Sequence, residues 1–335
     1  MALPERDSKR VVIAGASSLL GIELKSLLEE SRLADADFRL LDEDVAVGTL
    51  TEAGGEAAVI QPVEEGSFQR AKSVFFTGSP EFTRANFAAA RDSGARLFDL
   101  SSAEIEKQNS VAWFPKLDHL LGREFPKDAA AYQVPSPAGT AASALTLALA
   151  KLGLRQLSFV TFLAASEAGR LGVEELETQT GQLLSFQGVG QPVFDAQVAF
   201  NMLDRYGVAS RVRLSAVCER IRREVQTVIG DRAPLPAIQA LHAPVFYGAA
   251  FTASADIDPV IGADRVAGIC RDAGFVIAAE GEPGPSNIGA AGEKSILLAK
   301  PAPDPARPGA WWFWGAADNI RLPAANAVKL AEMLL

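Results

Sequence analysis

The stretch from Arg10 to Gly21, RVVIAGASSLLG, constrains the fold of this chain more than any other segment. The apolar run Arg10 to Ala14 follows a polar lead-in and predicts a buried strand. Gly15, Ala16 and Gly21 then mark a tight turn that opens a helix, which Ile22 to Ser31 continues. Such a turn needs glycine where the backbone must approach a pyrophosphate, and its helix N-terminus aims N–H groups at the anion. Ser18 stands where the middle glycine of a G-x-x-G-x-x-G pattern would be. Taken alone, the turn is equally compatible with a strand–helix connection that binds nothing.

The segments that follow repeat the same grammar. Strands are predicted over Asp37–Asp42, Val74–Thr77 and Arg96–Leu100, with a helix over Phe82–Asp92 that carries Phe82, Ala85, Ala89 and Ala90 on one face. Strands alternating with helices imply crossover units and a doubly wound parallel sheet. The middle of the chain changes character. Thr140–Leu152 is an Ala- and Leu-rich helix with Gly153 at its end, and Gln156–Ala165 is a long strand apolar on both faces. Helices over Gly169–Leu184 and Ala216–Ile229 are followed by strands over Ala243–Ala255, Gly274–Ala279, Ser295–Ala299 and Ala310–Ala317. Pro323–Leu335 closes the chain as an amphipathic helix. Long strands with few crossovers indicate an α+β domain with a largely open sheet.

Length and charge bound the rest. A chain of 335 residues suggests two domains. With 48% hydrophobic and 22% charged residues it is not a disordered chain. Its net charge of −9 argues against a nucleic-acid partner. Ala138–Leu152, the most apolar stretch, contains Lys151 and falls short of the ~20 residues of a membrane span, and Met1–Arg10 has no apolar signal core. Cys218 and Cys270 cannot make a disulfide framework, so a reducing, cytoplasmic setting is expected. His119 and His242 have no metal-ligand spacing with each other or with the cysteines, so no metal site is expected.

A set of short strings in a fixed order sharpens this picture: GASSLLG at Gly15–Gly21, FDLSSA at Phe98–Ala103, FPKLD at Phe114–Asp118 and GRLGVEEL at Gly169–Leu176. They continue with QVAFNML at Gln197–Leu203, PVFYG at Pro244–Gly248, ADNIR at Ala317–Arg321 and NAVKLAEM at Asn326–Met333. In this order the strings resemble aspartate-semialdehyde dehydrogenases over nearly the whole chain. The resemblance is closer still to the cysteine-less, Usg-type paralogues of that family, which share strings such as AFNML and PVFYG and likewise lack the nucleophile at the turn that reads VPSPAGT here. It implies a Rossmann-type α/β domain formed by 1–136 with 318–335. It also implies an α+β dimerisation domain over 137–317, with the C-terminal helix returning to the first domain.

The resemblance also implies a catalytic kit, and this chain departs from it. The family's nucleophile is a cysteine whose thiol a helix N-terminus activates; its position falls on Gly139. The histidine that follows the glycine of PVFYG becomes Ala249, although the Usg pattern keeps that histidine, and the glutamine position becomes Leu163. The arginine after SSA falls near Ile105 and the one before the PV string near His242. The carboxylate and cation on the helix before Ile229 fall on Glu219 with Arg222, or, anchored on Glu224, on Cys218 with Arg220. Ser136 and Thr140 flank the nucleophile position, but a hydroxyl needs a positioned base. His242 reads as a structural histidine at a strand start, and both cysteines read as buried small hydrophobes.

Cofactor contacts are implied at Gly15, Ala16, Ser18, Leu19, Leu20, Gly21, Asp42, Gly78, Ser101 and Asn319. The family's Arg-Ser pair for a 2′-phosphate falls on Val45 and Ala46. Asp42, Glu43 and Asp44 suit ribose hydroxyls and repel a 2′-phosphate, so NAD is expected in preference to NADP. The alternative for these three acids is a solvated turn. Trp311, Trp312 and Trp314 read as core and interface. The expected partners are a second copy, in a homodimer, and a small molecule in the interdomain cleft. The leading expectation is a non-catalytic paralogue with a regulatory or binding role. Its rivals are an active NAD(P)-dependent semialdehyde oxidoreductase with a rearranged site, and a purely structural dimer.

Overall fold

The computed structural model describes residues 10–43, 48–53, 56–103, 110–279 and 281–335. Asp44, Val45, Ala46 and Ile105 lie outside the described residues. The chain divides into two compact units. One comprises Met1–Pro115, Glu124–Pro135 and Pro323–Leu335; the other comprises Lys116–Arg123 and Ser136–Leu322.

The first unit opens with β1 (Arg10–Ala14), α1 (Leu19–Glu29) and β2 (Asp37–Leu41), followed by a small hairpin of β3 (Leu50–Ala53) and β4 (Glu56–Val59). Next come β5 (Ala71–Phe76), α2 (Pro80–Asp92), β6 (Arg96–Asp99) and β7 (Ser110–Ala112). Helix α3 (Leu117–Leu121) belongs to the second unit, after which β8 (Ala131–Gln133) completes a six-stranded sheet in the order β2-β1-β5-β6-β8-β7. Each pairing in that sheet is parallel. The strand order reverses direction at β1, beside β5, which is where an open parallel sheet leaves a crevice at its strand ends. The apolar strand faces explain why both sides are covered: Val12, Val74, Phe76 and Leu97 are fully buried together.

The second unit is built on α4 (Pro137–Ala150), β9 (Gln156–Leu163), a 3₁₀ turn at Ala165–Ala168, α5 (Gly169–Leu184) and α6 (Leu214–Ile229). The chain continues with β10 (Ala237–His242), β11 (Ala249–Asp256), α7 (Ala263–Asp272), β12 (Val276–Ile277), β13 (Leu297–Leu298), β14 (Ala302–Pro303) and β15 (Ala310–Ala317); α8 (Arg321–Glu332) follows and belongs to the first unit from Pro323 onward. A mixed, open sheet runs β10-β9-β11-β15-β13-β12, with β14 on β15. One face of β9 is buried through Leu157, Phe159, Thr161 and Leu163, while Val160 and Phe162 on the other are only half-buried.

Three expectations need correction. Helix α4 starts at Pro137, with Ser136 as its N-cap and proline at the first position, so Gly139 lies inside the first turn rather than before the helix. The strand expected over Ala243–Ala255 begins only at Ala249, as β11, after a turn made by the PVFYG string, and β10 (Ala237–His242) precedes that turn where no strand is expected. Period-2 alternation cannot reveal that turn, because alanines fill both sides of it. His242 therefore ends a strand and does not start one.

Candidate functional site

The glycine turn of the first unit is held by its own backbone. Gly15 has φ +101°, and a Cβ there would collide with the backbone of Thr77 and Gly78, so only glycine fits. The Gly15 and Ala16 amides both donate to the Leu41 carbonyl, at 2.8 and 3.1 Å. Ser18 caps α1: its hydroxyl accepts from the Gly21 amide and donates to the Thr77 carbonyl, each at 2.9 Å. That hydroxyl is thus held between two backbone groups. Asp42, nearly buried, accepts from the Ser17 amide at 2.5 Å and from the Glu43 amide at 2.8 Å. Glu43 in turn accepts from the Ser79 hydroxyl, the N-cap of α2, at 2.6 Å.

The other expected cofactor contacts in this unit lie on strand ends. Gly78 packs against Gly15, and Ser101 donates its hydroxyl to Asp99 at 2.6 Å. Asp99 is buried and also accepts from the Ser101 and Ala103 amides; burial raises its pKa, with those donors opposing the rise. Asn319 belongs to the second unit, where its carbonyl oxygen accepts from the Gly248 amide at 2.7 Å and its amide donates to Ser166 at 2.9 Å. Its side chain is spent on pinning the PVFYG turn.

The second unit brings several of the implied catalytic positions into one row. The register pairs Leu163 with His242 on one side and with Ala249 on the other, and Ala249 with Ala317. No sequence spacing displays this adjacency, because it comes from strand pairing. Leu163 and Ala249 are both buried and apolar. His242 is fully buried; its Nε2 faces the Val198 carbonyl at 3.2 Å and its Nδ1 faces the Tyr206 hydroxyl at 3.1 Å. Nε2 therefore carries the proton and Nδ1 accepts from Tyr206. Burial lowers the His242 pKa, partly opposed by the Val198 carbonyl. Both ring nitrogens are used, which is the chemistry of a structural histidine.

At the first turn of α4 the decisive neighbour is Glu224, from α6. The Ser136 hydroxyl donates to Glu224 Oε2 at 2.6 Å, the Ser136 amide reaches the same oxygen at 3.2 Å, and the Gly139 amide donates to the Ser136 hydroxyl at 3.1 Å. A Cβ built on Gly139 would fall inside the van der Waals envelope of that carboxylate oxygen. Arg220 lies one turn before Glu224, 3.8 Å from it, and is hydrogen-bonded to Glu167. Burial pulls the Arg220 pKa down, but Glu167 and Glu224 outweigh it and leave the guanidinium raised. Of the two registers open in the sequence, the pair Glu219–Arg222 is solvent-facing, whereas Arg220 is the cation beside Glu224. Glu224 and Glu167 were not anticipated as members of the site; the signal available was Glu224's place one helical turn after Arg220.

The cysteines take no part. Cys218 is partly exposed, not buried as expected, and its sulfur accepts from the Ala240 amide at 3.1 Å. Cys270 is buried, and desolvation pushes its thiol up to about 12. Among the described residues no cluster of His, Cys, Asp or Glu could hold a metal ion.

Comparison with known proteins places this architecture. Residues 145–322 match the family model for the semialdehyde dehydrogenase dimerisation domain. A USG-1 protein homolog of Pseudomonas aeruginosa is 30% identical over 331 residues, 97% of either chain. The chain belongs to the semialdehyde dehydrogenase family. An aspartate-semialdehyde dehydrogenase of Rickettsia bellii is 22% identical, again over 97% of both chains. The solved structure of a probable aspartate-semialdehyde dehydrogenase from Pseudomonas aeruginosa has a TM-score of 0.84 at 28% identity and covers 98% of each chain. Aspartate semialdehyde dehydrogenase II from Vibrio cholerae reaches 0.86 at 22% identity with the same coverage, which is likeness of fold. The expected family, the parallel-sheet domain and the separate mixed-sheet domain are thus those observed.

Proposed function

We propose that this chain is a non-catalytic, dimeric member of the semialdehyde dehydrogenase family that acts by binding or regulation. The observation that carries the reading is the Glu224 carboxylate against Gly139, where the family resemblance implies a nucleophilic cysteine. The implied base and glutamine positions, Ala249 and Leu163, are apolar neighbours with no proton to move. Losing one member of a catalytic unit already removes most of its rate advantage. The test is phosphate-dependent oxidation of aspartate semialdehyde by purified protein. We expect no turnover; a kcat near the ~10 s⁻¹ typical of enzymes would refute the reading.

The reading includes a dinucleotide, for which the first unit has fitting residues. The amides of Leu19 and Leu20 open α1 and are the donors that would hold a pyrophosphate. A nicotinamide cofactor supplies hydride exchange when bound. Asp42 and Glu43 would face its adenosine ribose and disfavour a 2′-phosphate, so NAD is preferred to NADP. Dinucleotide binding falls to 1–136 with 318–335, and dimerisation to 137–317. The site positions are the degenerate Gly139, Leu163 and Ala249. The cytoplasmic setting rests on two free thiols, and among the described residues no helix is long and apolar enough to cross a membrane.

A homodimer through the second unit is supported by the sheet face opposite its helices. Trp312 and Trp314 are 48% and 40% exposed there, and Phe162 packs beside Trp314 with ring centroids 6.1 Å apart. Both indole N–H groups are satisfied, by Asp304 and by the Pro285 carbonyl, which leaves the ring faces for apolar contact. Trp311 is buried on the other side. Sedimentation equilibrium at micromolar concentration should give twice the 35.4 kDa of the chain. Trp314→Asp should shift it towards the single-chain mass.

A further inference from the structure

We infer that Glu224 is the built-in anion of the α4 N-terminus, and that Gly139 is glycine because this carboxylate stands in its side-chain place. The inference deepens the non-catalytic reading of Gly139, yet it rests on geometry alone. A helix N-terminus attracts negative charge through its unpaired amides. Here that charge comes from α6 within the same unit. One oxygen of Glu224 takes both donors of Ser136, and the other faces Arg220 Nε. Arg220 donates through Nη2 to Glu167. Arg220 thus contacts two carboxylates, one of which caps a helix.

Two consequences follow. First, any side chain at 139 must evict the carboxylate. The Glu224 Cβ and Cδ each lie 3.1 Å from where a Cβ at 139 would sit, so a turn of the carboxylate head alone does not clear the space. A cysteine returned to this position would meet a negative charge, which opposes formation of a thiolate. Second, the site is closed to an external carboxylate or phosphate while Glu224 is present, since the Ser136 donors and the Gly139 amide are taken and the incoming charge is repelled. Removing the Glu224 side chain should convert the internal site into a pocket for a small carboxylate.

A thermal double-mutant cycle tests this on the full chain. Glycine within a helix is ordinarily improved by alanine, by roughly 2–4 °C in a domain of this size. We expect Gly139→Ala to lower the midpoint in the wild-type background and to raise it in the Glu224→Ala background. Acetate, at constant ionic strength against chloride, should raise the midpoint of Glu224→Ala saturably and leave the wild type unmoved. If Glu224→Ala does not fold, Glu224→Asp, which withdraws the carboxylate by one methylene but keeps the Cβ, should lessen the loss caused by Gly139→Ala, and an unchanged loss overturns the inference. An equal effect of Gly139→Ala in both backgrounds overturns the inference, as does an acetate response that wild type shares. Turnover by the wild type would end the non-catalytic reading and leave this pairing intact. Additivity would end the pairing and leave that reading standing.

Discussion

The N-terminal turns of α1 and α4 are built from the same parts and reach opposite results. Each has a serine N-cap whose hydroxyl accepts an amide three residues on, and each has a carboxylate from elsewhere in its unit on a nearby backbone amide. At α1 the carboxylate of Asp42 binds the Ser17 amide, before the helix begins, and leaves the amides of Leu19 and Leu20 at the helix start. At α4 the carboxylate of Glu224 lies on the N-cap itself and covers the third helical position. The two glycines differ accordingly. Gly15 is required by backbone conformation and backbone contact, whereas Gly139 is required by a side chain. A helix N-terminus favours negative charge in either case, but only at α4 does a carboxylate of the unit stand on the N-cap.

The largest effect that could break this comparison is catalytic. Gly139→Cys should yield no semialdehyde turnover, because the base position is Ala249 and the returned thiol faces Glu224. Recovery to within about a hundredfold of the ~10 s⁻¹ typical of enzymes would show that the α4 turn is as open as the α1 turn. Next in size is the contrast between the glycines. Gly15→Ala combines a strained φ with a backbone collision and should cost roughly 3 kcal/mol in denaturant unfolding. No side-chain truncation should relieve that cost, unlike the cost at Gly139. Relief of Gly15→Ala by Asp42→Ala would make the two turns equivalent.

Cofactor discrimination comes third. Calorimetry should show NAD binding at least about tenfold tighter than NADP, and Asp42→Asn should narrow the gap by removing a charge beside the ribose. Tighter NADP binding by the wild type would mean that Asp42 serves only to hold the Ser17 amide. The smallest effect separates the caps. Ser18→Ala should cost about 1 kcal/mol, the usual worth of an N-cap. Ser136→Ala should cost more, roughly 2 kcal/mol, because its second hydrogen bond goes to a charged carboxylate where that of Ser18 goes to the neutral Thr77 carbonyl. Equal losses would mean that Glu224 is held mainly by Arg220.

Much of the first unit was legible because its signals are local. Strand, glycine turn and helix follow one another within a dozen residues, and periodicity identifies each. The α4 turn is legible in part: the VPSPAGT string locates Gly139, but the Ala- and Leu-rich pattern that marks the helix begins after Pro137, where α4 starts. Strand β10, the late start of β11 and the hairpin of β3 and β4 are not legible, since short runs with small residues carry no clear alternation.

What the amino-acid order determined by itself is the sequence of elements, the two-domain plan and the identity of the residues that stand at each site position. These depend on contacts a few residues apart, which spacing records. What only the tertiary structure decided is which groups meet. Glu224 lies 88 positions from Ser136, and their hydrogen bond exists because α6 packs beside α4. His242, Leu163 and Ala249 share a row because three strands pair in one register, and Asp42 reaches Ser17 because β2 lies beside β1. Distances of this kind are set by strand pairing and helix packing across the chain, and no local pattern of residues encodes them.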